Sequence, residues 1–332
     1  MASLRDKIIG DGAFKPHVAI YNINVYTLVY VFVFHLCKHK AKCFVIFFPL
    51  QKNGKVQPTS ILLSSSVLKP TNAVNKSSQQ KFETLHITHQ DNITTITMNR
   101  PQRKNAFSLQ MFNELELALD DAAADNSVFT VLTGAGDYFT SGNDLNNALQ
   151  NPSEIKEEKF DLRRFVRKFI DFPKPLVAVV NGPAIGIGAT ILGLMDLVYA
   201  SDKASFNTPF IKLGLCPEAC SSYTFPKIMG FTKATEVLLF NKILTAQEAC
   251  DLGLVTEVFP GSTFQQDVRA RLKDYASLPK NSLAFSKQLI RGLEKEKLYA
   301  VCDAECDLLA KMVTSEEAMN AIIQFFQKKA RL

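Results

Sequence analysis

One carboxylate, Glu218, shows the strongest signs of acid–base chemistry in this sequence. It lies in residues 213–223 (LGLCPEACSSY), where its neighbours are almost all small or apolar. Two effects oppose each other there, because burial raises the pKa of a carboxyl group and the N-terminus of a helix after Pro217 lowers it. If burial dominates, Glu218 is a usable base near neutral pH. The alternative is an exposed acidic residue in the first turn of a helix, which is a common position.

Two glycine-containing loops are the second feature with a candidate chemical role. Residues 139–145 (FTSGNDL) and 182–189 (GPAIGIGA) each follow a short apolar strand. Glycine lets backbone N–H groups approach a ligand, and a strand, a glycine turn and a helix in succession direct N–H groups at an anion. Since such loops meet at the carboxyl edge of a parallel sheet, their N–H groups could converge on one oxygen. Ordinary tight turns are the alternative for both.

Known nucleotide-binding motifs do not fit the second loop. A dinucleotide fingerprint that uses Gly186 and Gly188 would need glycine at position 191, where the chain has Ile191. No acidic residue ends a second strand at the expected place, and no Lys-Ser/Thr pair follows the loop as in a P-loop. The sequence therefore gives little support to a Rossmann or P-loop site.

Histidine and cysteine placement limits the chemistry further. All five histidines lie before residue 90, and His86 and His89 fall on opposite faces of a predicted strand. A Ser-His-Asp triad or a multi-histidine metal site is therefore not expected. The seven cysteines are an odd number without CxxC spacing, which indicates reduced thiols in an intracellular protein.

The positive charge is confined to the N-terminal segment. Residues 1–80 hold ten Lys/Arg and two Asp/Glu, a net charge of +8, so that the remaining 252 residues sum to −2. A basic nucleic-acid-binding face on the folded body has little support.

The same segment does not have the pattern of a compact domain. Its apolar run at 25–36 (VYTLVYVFVFHL) precedes a basic cluster at 38–42, and residues 58–80 are rich in Ser, Asn, Lys and Gln. We interpret residues 58–80 as a linker. For residues 18–50 the alternatives are contact with a membrane, including a membrane-spanning helix, and a poorly ordered or cleaved extension.

From residue 82 onward the pattern alternates between strands and helices. A hairpin is predicted at 82–88 and 93–99, then a helix at 109–124 capped by Ser108, with further strands at 128–133, 176–180 and 197–200. The chain ends in four predicted helices at 264–276, 281–293, 297–312 and 315–328. We therefore predict three regions: an N-terminal extension (1–80), an α/β catalytic core (81–275) and a C-terminal helical region with a tail (276–332).

Several motifs in the folded body resemble one family. They are Asn99-Arg100-Pro101 with Lys104-Asn105-Ala106, Ser141-Gly142-Asn143-Asp144-Leu145, Val180-Asn181-Gly182-Pro183-Ala184-Ile185-Gly186, Cys216-Pro217-Glu218-Ala219-Cys220 and Ala246-Gln247-Glu248-Ala249. Together they resemble the enoyl-CoA hydratase/isomerase (crotonase) superfamily, and within it the peroxisomal-type Δ3-Δ2-enoyl-CoA isomerases. The resemblance covers about three quarters of the chain, from residue 82 to residue 332.

The resemblance implies a fold and a ligand. The fold would be a spiral of ββα units with a C-terminal helical trimerisation region, in homotrimers or dimers of trimers. The substrate would be an acyl-CoA thioester, with no cofactor beyond the CoA that it carries and no metal. By position, the backbone N–H groups of Asn143 and Ile187 would form an oxyanion hole. Ser141, Gly142, Asn143, Asp144 and Leu145 would line the thioester site, and a loop of Lys104, Asn105, Ala106 and Phe107 would pass the CoA moiety.

The resemblance also distinguishes between two reactions. Hydratases of the superfamily use two glutamates, and the positions that match them here are Thr190 and Phe210, which cannot activate water. Glu218 falls where the isomerase branch carries its single acid–base glutamate. An isomerase that shifts a proton through a dienolate is therefore expected. A hydratase, another crotonase-type enzyme and a non-catalytic acyl-CoA-binding scaffold are the alternatives.

The C-terminal tripeptide resembles an organelle-targeting signal. Ala330-Arg331-Leu332 is close to the Ser-Lys-Leu signal that the peroxisomal import receptor reads. It predicts the peroxisomal matrix, with the mitochondrion as the alternative because the family's isomerases also work there. Relatives often carry an acyl-CoA-binding domain ahead of the catalytic body, and residues 1–80 do not resemble one.

Overall fold

A computed structural model describes the protein at residues 17–23, 26–37, 40–49, 82–144 and 161–329. The chain divides into two units, Met1–Ser77 and Ser78–Leu332. Three of the predicted features lie outside the described residues: Leu145, the linker at 58–80 and the tail at 330–332.

The first unit contains an antiparallel sheet of three strands in the order β1-β2-β3. They are β1 (His17–Ile23), β2 (Tyr26–Cys37) and β3 (Lys40–Pro49). Residues 26–36 of the apolar run, for which a membrane-spanning helix was one alternative, thus lie in a strand. Its alternation of Val, Tyr and Phe suits a sheet, where β-branched and aromatic side chains are favoured. Among the described residues, no helix combines the length and the apolar character that crossing a bilayer requires.

The second unit is built on strands that form two sheets. They are β4 (Leu85–Gln90), β5 (Ile93–Met98), β6 (Phe129–Gly134), β7 (Leu176–Val180), β8 (Ala184–Ile185), β9 (Leu197–Ser201), β10 (Ser205–Asn207), β11 (Leu244–Thr245) and β12 (Glu257–Phe259). The main sheet has the order β12-β9-β7-β6-β5-β4, and the small sheet has the order β11-β10-β8. The predicted hairpin is confirmed as β4 and β5, which are antiparallel, whereas the main sheet is parallel from β5 to β12.

Ten α-helices complete the second unit. They are α1 (Leu109–Ala124), α2 (Leu162–Asp171), α3 (Ile187–Thr190), α4 (Ser221–Met229), α5 (Phe231–Leu238), α6 (Ala246–Asp251), α7 (Phe264–Tyr275), α8 (Lys280–Gly292), α9 (Lys295–Met312) and α10 (Glu316–Lys329), counted over the described residues. The four helices predicted at the C-terminus are confirmed as α7 to α10.

Local sequence signals explain the first strand–helix unit. The Ser108 hydroxyl accepts a hydrogen bond from the Met111 N–H at 3.2 Å, so it caps α1 as predicted. Phe112, Leu115 and Leu119 lie on the buried face of this helix. Every residue of β7 is buried, as the continuous apolar pattern of a central parallel strand predicts.

One predicted helix is shorter than expected. The helix expected after the second glycine-containing loop consists of the single turn α3 followed by a 3₁₀ turn, Ile191–Leu194. A Cβ atom on Gly193 would lie 2.4 Å from the Thr224 hydroxyl oxygen of α4. Helix α4 can therefore approach this closely only because residue 193 is glycine. Gly193 lies in the 3₁₀ turn, after the α-helical turn has ended.

Candidate active site

Glu218 is buried and lies ahead of a helix rather than in its first turn. Its residue exposure is 3%, and α4 begins three residues later at Ser221. Between them Ala219 and Cys220 adopt left-handed backbone angles, with φ of 56° and 62°. This tight turn takes the Glu218 side chain off the solvent-facing helix start, so the expectation of an exposed first-turn residue is wrong.

Burial dominates the electrostatics of this carboxyl group. Burial, and then the negative charge of Glu305, raise the pKa of Glu218 to about 8. Within the described residues, no group donates a hydrogen bond to the Glu218 carboxylate, whereas its backbone carbonyl accepts bonds from the Ser221 hydroxyl at 2.7 Å and N–H at 3.2 Å. The side chain can therefore take up and release a proton just above neutral pH.

The structure brings together the two glycine-containing loops. Gly142 has a φ of +80°, and a Cβ atom on it would lie 2.7 Å from the carbonyl oxygen of Ile185. The loop backbones thus touch at a point where a side chain has no room. A parallel bridge between Thr140 and Ala184 extends this contact, and a second bridge between Phe107 and Asn143 joins the first loop to residues 104–107.

At this contact the backbone N–H groups of Asn143 and Ile187 have no acceptor within the described part of the chain. The bonds on either side of Asn143 are made, because the Phe107 N–H donates to the Gly142 carbonyl and the Asp144 N–H donates to the Phe107 carbonyl. Ile187 is the first residue of α3, and the first N–H groups of a helix have no intrahelical acceptor. One N–H from each loop is therefore available to a ligand.

Thr140 joins three loops, a role that the sequence did not predict. Its buried hydroxyl donates to the Asn105 carbonyl at 2.7 Å and accepts from the Gly142 N–H at 3.0 Å. Its carbonyl accepts from the Ile185 N–H at 3.0 Å. The only signal in the sequence was its place just before Ser141, which does not distinguish it from any other threonine.

The loop predicted to pass CoA is held by the side chain of Asn105. Lys104 and Asn105 both have left-handed φ values, 51° and 52°. The buried Asn105 amide accepts from the Arg100 N–H at 2.9 Å and donates to the carbonyls of Ala135 and Tyr138, each at 2.8 Å. Lys104 is exposed, with its ammonium group 4.8 Å from the centre of the Tyr138 ring.

Arg100 joins this loop to the first glycine-containing loop. Its guanidinium group forms an ion pair with Asp144 at 3.2 Å and donates to the Ala106 carbonyl at 2.5 Å. Asp144, predicted to line the thioester site, is therefore engaged in fixing two loops. In the sequence Arg100 stands out only as part of the motif Asn99-Arg100-Pro101, which does not reveal this role.

The elements on either side of Glu218 contact the second glycine-containing loop and the 3₁₀ turn that follows it. Strand β10 pairs with β8, and the Gly186 N–H donates to the Asn207 carbonyl at 2.8 Å. The chain then leads from β10 to Glu218, and α4 packs on the 3₁₀ turn that follows α3. Ile187 and Ala219 belong to one buried core cluster.

Glu218 differs from the other buried carboxylates of the described residues because its side chain has no hydrogen-bond or ion-pair partner there. In the described ranges, the buried acidic side chains are Glu116, Glu218 and Glu305. Glu116 pairs with Arg164 at 2.9 Å, and Glu305 accepts two backbone N–H bonds. The positions matched to hydratase glutamates hold Thr190 and Phe210, both buried. Among the described residues, no cluster of three or more His, Cys, Asp or Glu side chains could hold a metal ion.

A buried carboxylate with a raised pKa can move protons, and backbone N–H groups that lack an acceptor in the described residues can bind a carbonyl oxygen. The family described as enoyl-CoA hydratase/isomerase matches residues 88–331, and the chain belongs to that family.

Individual relatives agree with this assignment. Enoyl-CoA delta isomerase 2 from Homo sapiens is 56% identical over 256 residues, which cover 76% of this chain and 65% of that protein. The match therefore spans less than two thirds of the human relative. Peroxisomal enoyl-CoA delta isomerase 3 from Mus musculus is 52% identical over 81% of this chain and 87% of its own.

The solved structures confirm the expected crotonase-like α/β fold. An enoyl-CoA hydratase/isomerase from Pseudoalteromonas atlantica T6c superposes with a TM-score of 0.69 at 36% identity, covering 74% of this chain and 98% of its own. The resemblance seen in the sequence motifs is thus borne out at the level of fold and family.

Proposed function

We propose that the protein is a Δ3-Δ2-enoyl-CoA isomerase, which converts 3-cis- and 3-trans-enoyl-CoA to 2-trans-enoyl-CoA in the β-oxidation of unsaturated fatty acids. The observation that carries the proposal is Glu218, a buried carboxylate with a raised pKa and no donor among the described residues. Thr190 and Phe210 supply no second acid. The names of the human and mouse relatives, enoyl-CoA delta isomerase 2 and 3, support the same reaction.

One carboxylate is sufficient for the chemistry. Ionised Glu218 removes a proton from C2, and the electron pair of the C–H bond enters a dienolate whose negative charge rests largely on the thioester oxygen. The protonated Glu218 then delivers that proton to C4, and the double bond between C2 and C3 forms as the carbonyl is restored. The substrate loses one proton and gains one, so no water, oxidant or cofactor is consumed.

The N–H groups of Asn143 and Ile187 would stabilise the dienolate. They come from two loops whose backbones touch, and each lacks an acceptor in the part of the chain that the structure describes. Each such donor contributes on the order of 3 kcal/mol when it points at the developing oxyanion. The hole would be complete before the substrate arrives, because backbone contacts and Thr140 fix both loops.

The substrate would lie along the two loops that Arg100 and Thr140 join. Ser141, Gly142, Asn143, Asp144 and Leu145 would line the thioester site. The loop of Lys104, Asn105, Ala106 and Phe107 would pass the CoA moiety, and the exposed Lys104 ammonium group suits its phosphates.

We further propose a homotrimer or a dimer of trimers that uses the C-terminal helices. Helix α8 and the residue after it expose Phe285, Leu289, Ile290 and Leu293 at 64%, 79%, 72% and 91%. Large exposed apolar patches of this kind mark protein–protein contacts. Sedimentation velocity on the full chain would give the number of subunits directly.

The peroxisomal matrix is the compartment that we propose. The tail Ala330-Arg331-Leu332 would be read by the import receptor, and the name of the mouse relative includes the peroxisome. The mitochondrion is the second compartment to test, and contact of residues 18–50 with a membrane is a separate hypothesis.

The test uses the full chain with two substrates. With 3-trans-hexenoyl-CoA, we expect the absorbance of the 2-enoyl thioester to appear. With 2-trans-hexenoyl-CoA, we expect no 3-hydroxyacyl-CoA. Hydration without isomerisation would identify a hydratase instead, and binding of CoA esters without either reaction would identify a non-catalytic binder.

A further inference from the structure

A second buried carboxylate reaches the turn that carries Glu218 from a distant helix. Glu305 of α9 is 6% exposed and lies 85 residues along the chain from Cys220. Its carboxylate accepts the N–H of Cys220 at 2.7 Å and the N–H of Ser222 at 2.9 Å. These groups belong to the N-terminus of α4, where N–H donors have no intrahelical acceptor. Glu305 therefore caps α4 from outside its own segment.

The cap acts on a backbone that would not otherwise hold its shape. Ala219 and Cys220 are consecutive non-glycine residues in the left-handed region, which costs about 1 kcal/mol or more for each. Such a conformation persists only when surrounding contacts impose it. The bond from the Cys220 N–H to Glu305 is one of these contacts, and Cys220 is two residues from Glu218.

We propose that Glu305 is a positioning residue for the Glu218 carboxylate, because it clamps the turn that follows Glu218 and brings a second carboxyl group close to that side chain. The proposal rests on the proposed function only in taking Glu218 to be the acid–base group. In this role Glu305 touches no substrate atom.

The titratable groups around Glu305 are mostly thiols, whose charge states bear on this assignment. Glu305 lies among the thiols of Cys216 and Cys220 from the turn and of Cys302 and Cys306 from α9, and Arg163 of α2 faces Cys306. Burial raises the pKa of Cys216 to about 11, and the contact with Cys220 together with burial raises that of Cys302 to about 12. Contact with Cys302 and burial also raise the pKa of Cys306. These three thiols are uncharged near pH 8.

Glu305 and Glu218 differ in what holds their charged forms. Burial raises the pKa of Glu305, and the hydrogen bonds from Ser222 and Cys220 oppose that rise because they stabilise the carboxylate. Glu218 has no such donors in the described residues, and the charge of Glu305 adds to the burial that raises its pKa. Two nearby carboxyl groups in unlike environments separate in this way, so that one holds the charge and the other the proton.

The experiment follows the protonation of Glu218 without requiring turnover. Infrared spectroscopy on the full chain would record the band of a buried protonated carboxyl group across a pH titration, and its absence in Glu218→Gln would assign it. The same titration and a kcat–pH profile would be recorded for Glu305→Gln and Glu305→Asp. Glu116→Gln is the matched control, because Glu116 is a buried carboxylate whose partner is Arg164.

We expect the band of the unmodified protein to titrate at about pH 8. In Glu305→Gln its midpoint should move to lower pH together with the acid limb of kcat, while Glu116→Gln leaves both in place. Glu305→Asp keeps the charge but withdraws the carboxylate by one methylene group, so kcat should fall about 10²-fold. Its band should stay near the unmodified midpoint.

An unmoved midpoint in folded Glu305→Gln would overturn the proposal. If that variant does not fold, an unchanged kcat in Glu305→Asp would overturn it instead. If the unmodified protein shows no isomerase activity, the proposed function fails, and the infrared midpoints still decide the role of Glu305.

Discussion

Gly142 and Ile185 approach so closely that a single added carbon would separate them. A Cβ atom on Gly142 would lie 2.7 Å from the Ile185 carbonyl oxygen and 3.3 Å from its carbonyl carbon. The two residues belong to the loops that carry the Asn143 and Ile187 N–H groups. This backbone contact is therefore one of those that set the geometry of the candidate oxyanion hole.

Gly142→Ala should lower kcat by more than a loss of folding stability would explain. The new methyl group must push the loops apart, and a displacement of about 1 Å at a reacting group costs on the order of 10²-fold in rate. We expect kcat to fall by about that factor, as measured with 3-trans-hexenoyl-CoA.

Gly230→Ala is the matched control for this variant. Gly230 has the same φ of +80°, but a Cβ atom there would meet nothing within 4 Å. The substitution Gly230→Ala therefore introduces the backbone strain of an alanine at positive φ without a steric clash. Equal losses of kcat in the two variants would show that strain, and not the separation of the loops, causes the defect.

Thr140→Val should loosen the loops through the loss of one hydroxyl group. The Asn105 carbonyl and the Gly142 N–H would each lose a buried partner, at a cost of about 1–3 kcal/mol in the free energy of unfolding. Chemical denaturation measures the loss, and we expect kcat to fall with it. Thr130→Val is the control, because the buried Thr130 hydroxyl has no partner among the described residues. If Thr130→Val costs as much stability as Thr140→Val, the bridging role is refuted.

Much of this site could be predicted from the sequence because its signals are local. The buried strand Leu176–Val180, the cap at Ser108 and the pairing of the two glycine-containing loops all follow from short patterns. The sequence predicts the start of α4 too early, because no sequence pattern indicates the left-handed φ values of Ala219 and Cys220. Those angles depend on tertiary contacts.

The supporting residues could not be predicted for a related reason. Glu305 is 85 residues from the N–H group of Cys220 that it caps, and Arg100 is 44 residues from its partner Asp144. Thr140 acts through backbone atoms of loops that are distant in sequence. Long-range polar contacts produce no periodic pattern in the sequence. Sequence patterns therefore indicate the candidate acid–base residue but not the residues that position it.

Glu218→Gln should stabilise the protein in a pH-dependent way. The pKa of Glu218 is raised from 4.5 to about 8 by burial and by Glu305, so the folded state keeps a proton that the unfolded state loses between those values. The free energy of unfolding then decreases as pH rises through this window, by roughly 1.4 kcal/mol for each pH unit. The glutamine variant lacks this loss. Its advantage in thermal denaturation should be larger at pH 8 than at pH 5, and an equal difference at the two pH values would contradict the raised pKa.

The most direct measurement is the isomerisation rate of Glu218→Gln on the full chain. At pH 9 the carboxylate of the unmodified protein is ionised, and its loss should lower kcat with 3-trans-hexenoyl-CoA by about 10²- to 10⁴-fold. Calorimetric binding of hexanoyl-CoA should be unchanged, since the glutamine leaves the loops of Asn143 and Lys104 in place. Loss of turnover with intact binding is the result that the single-base mechanism predicts. A Glu218→Gln variant that isomerises as fast as the unmodified protein would contradict it.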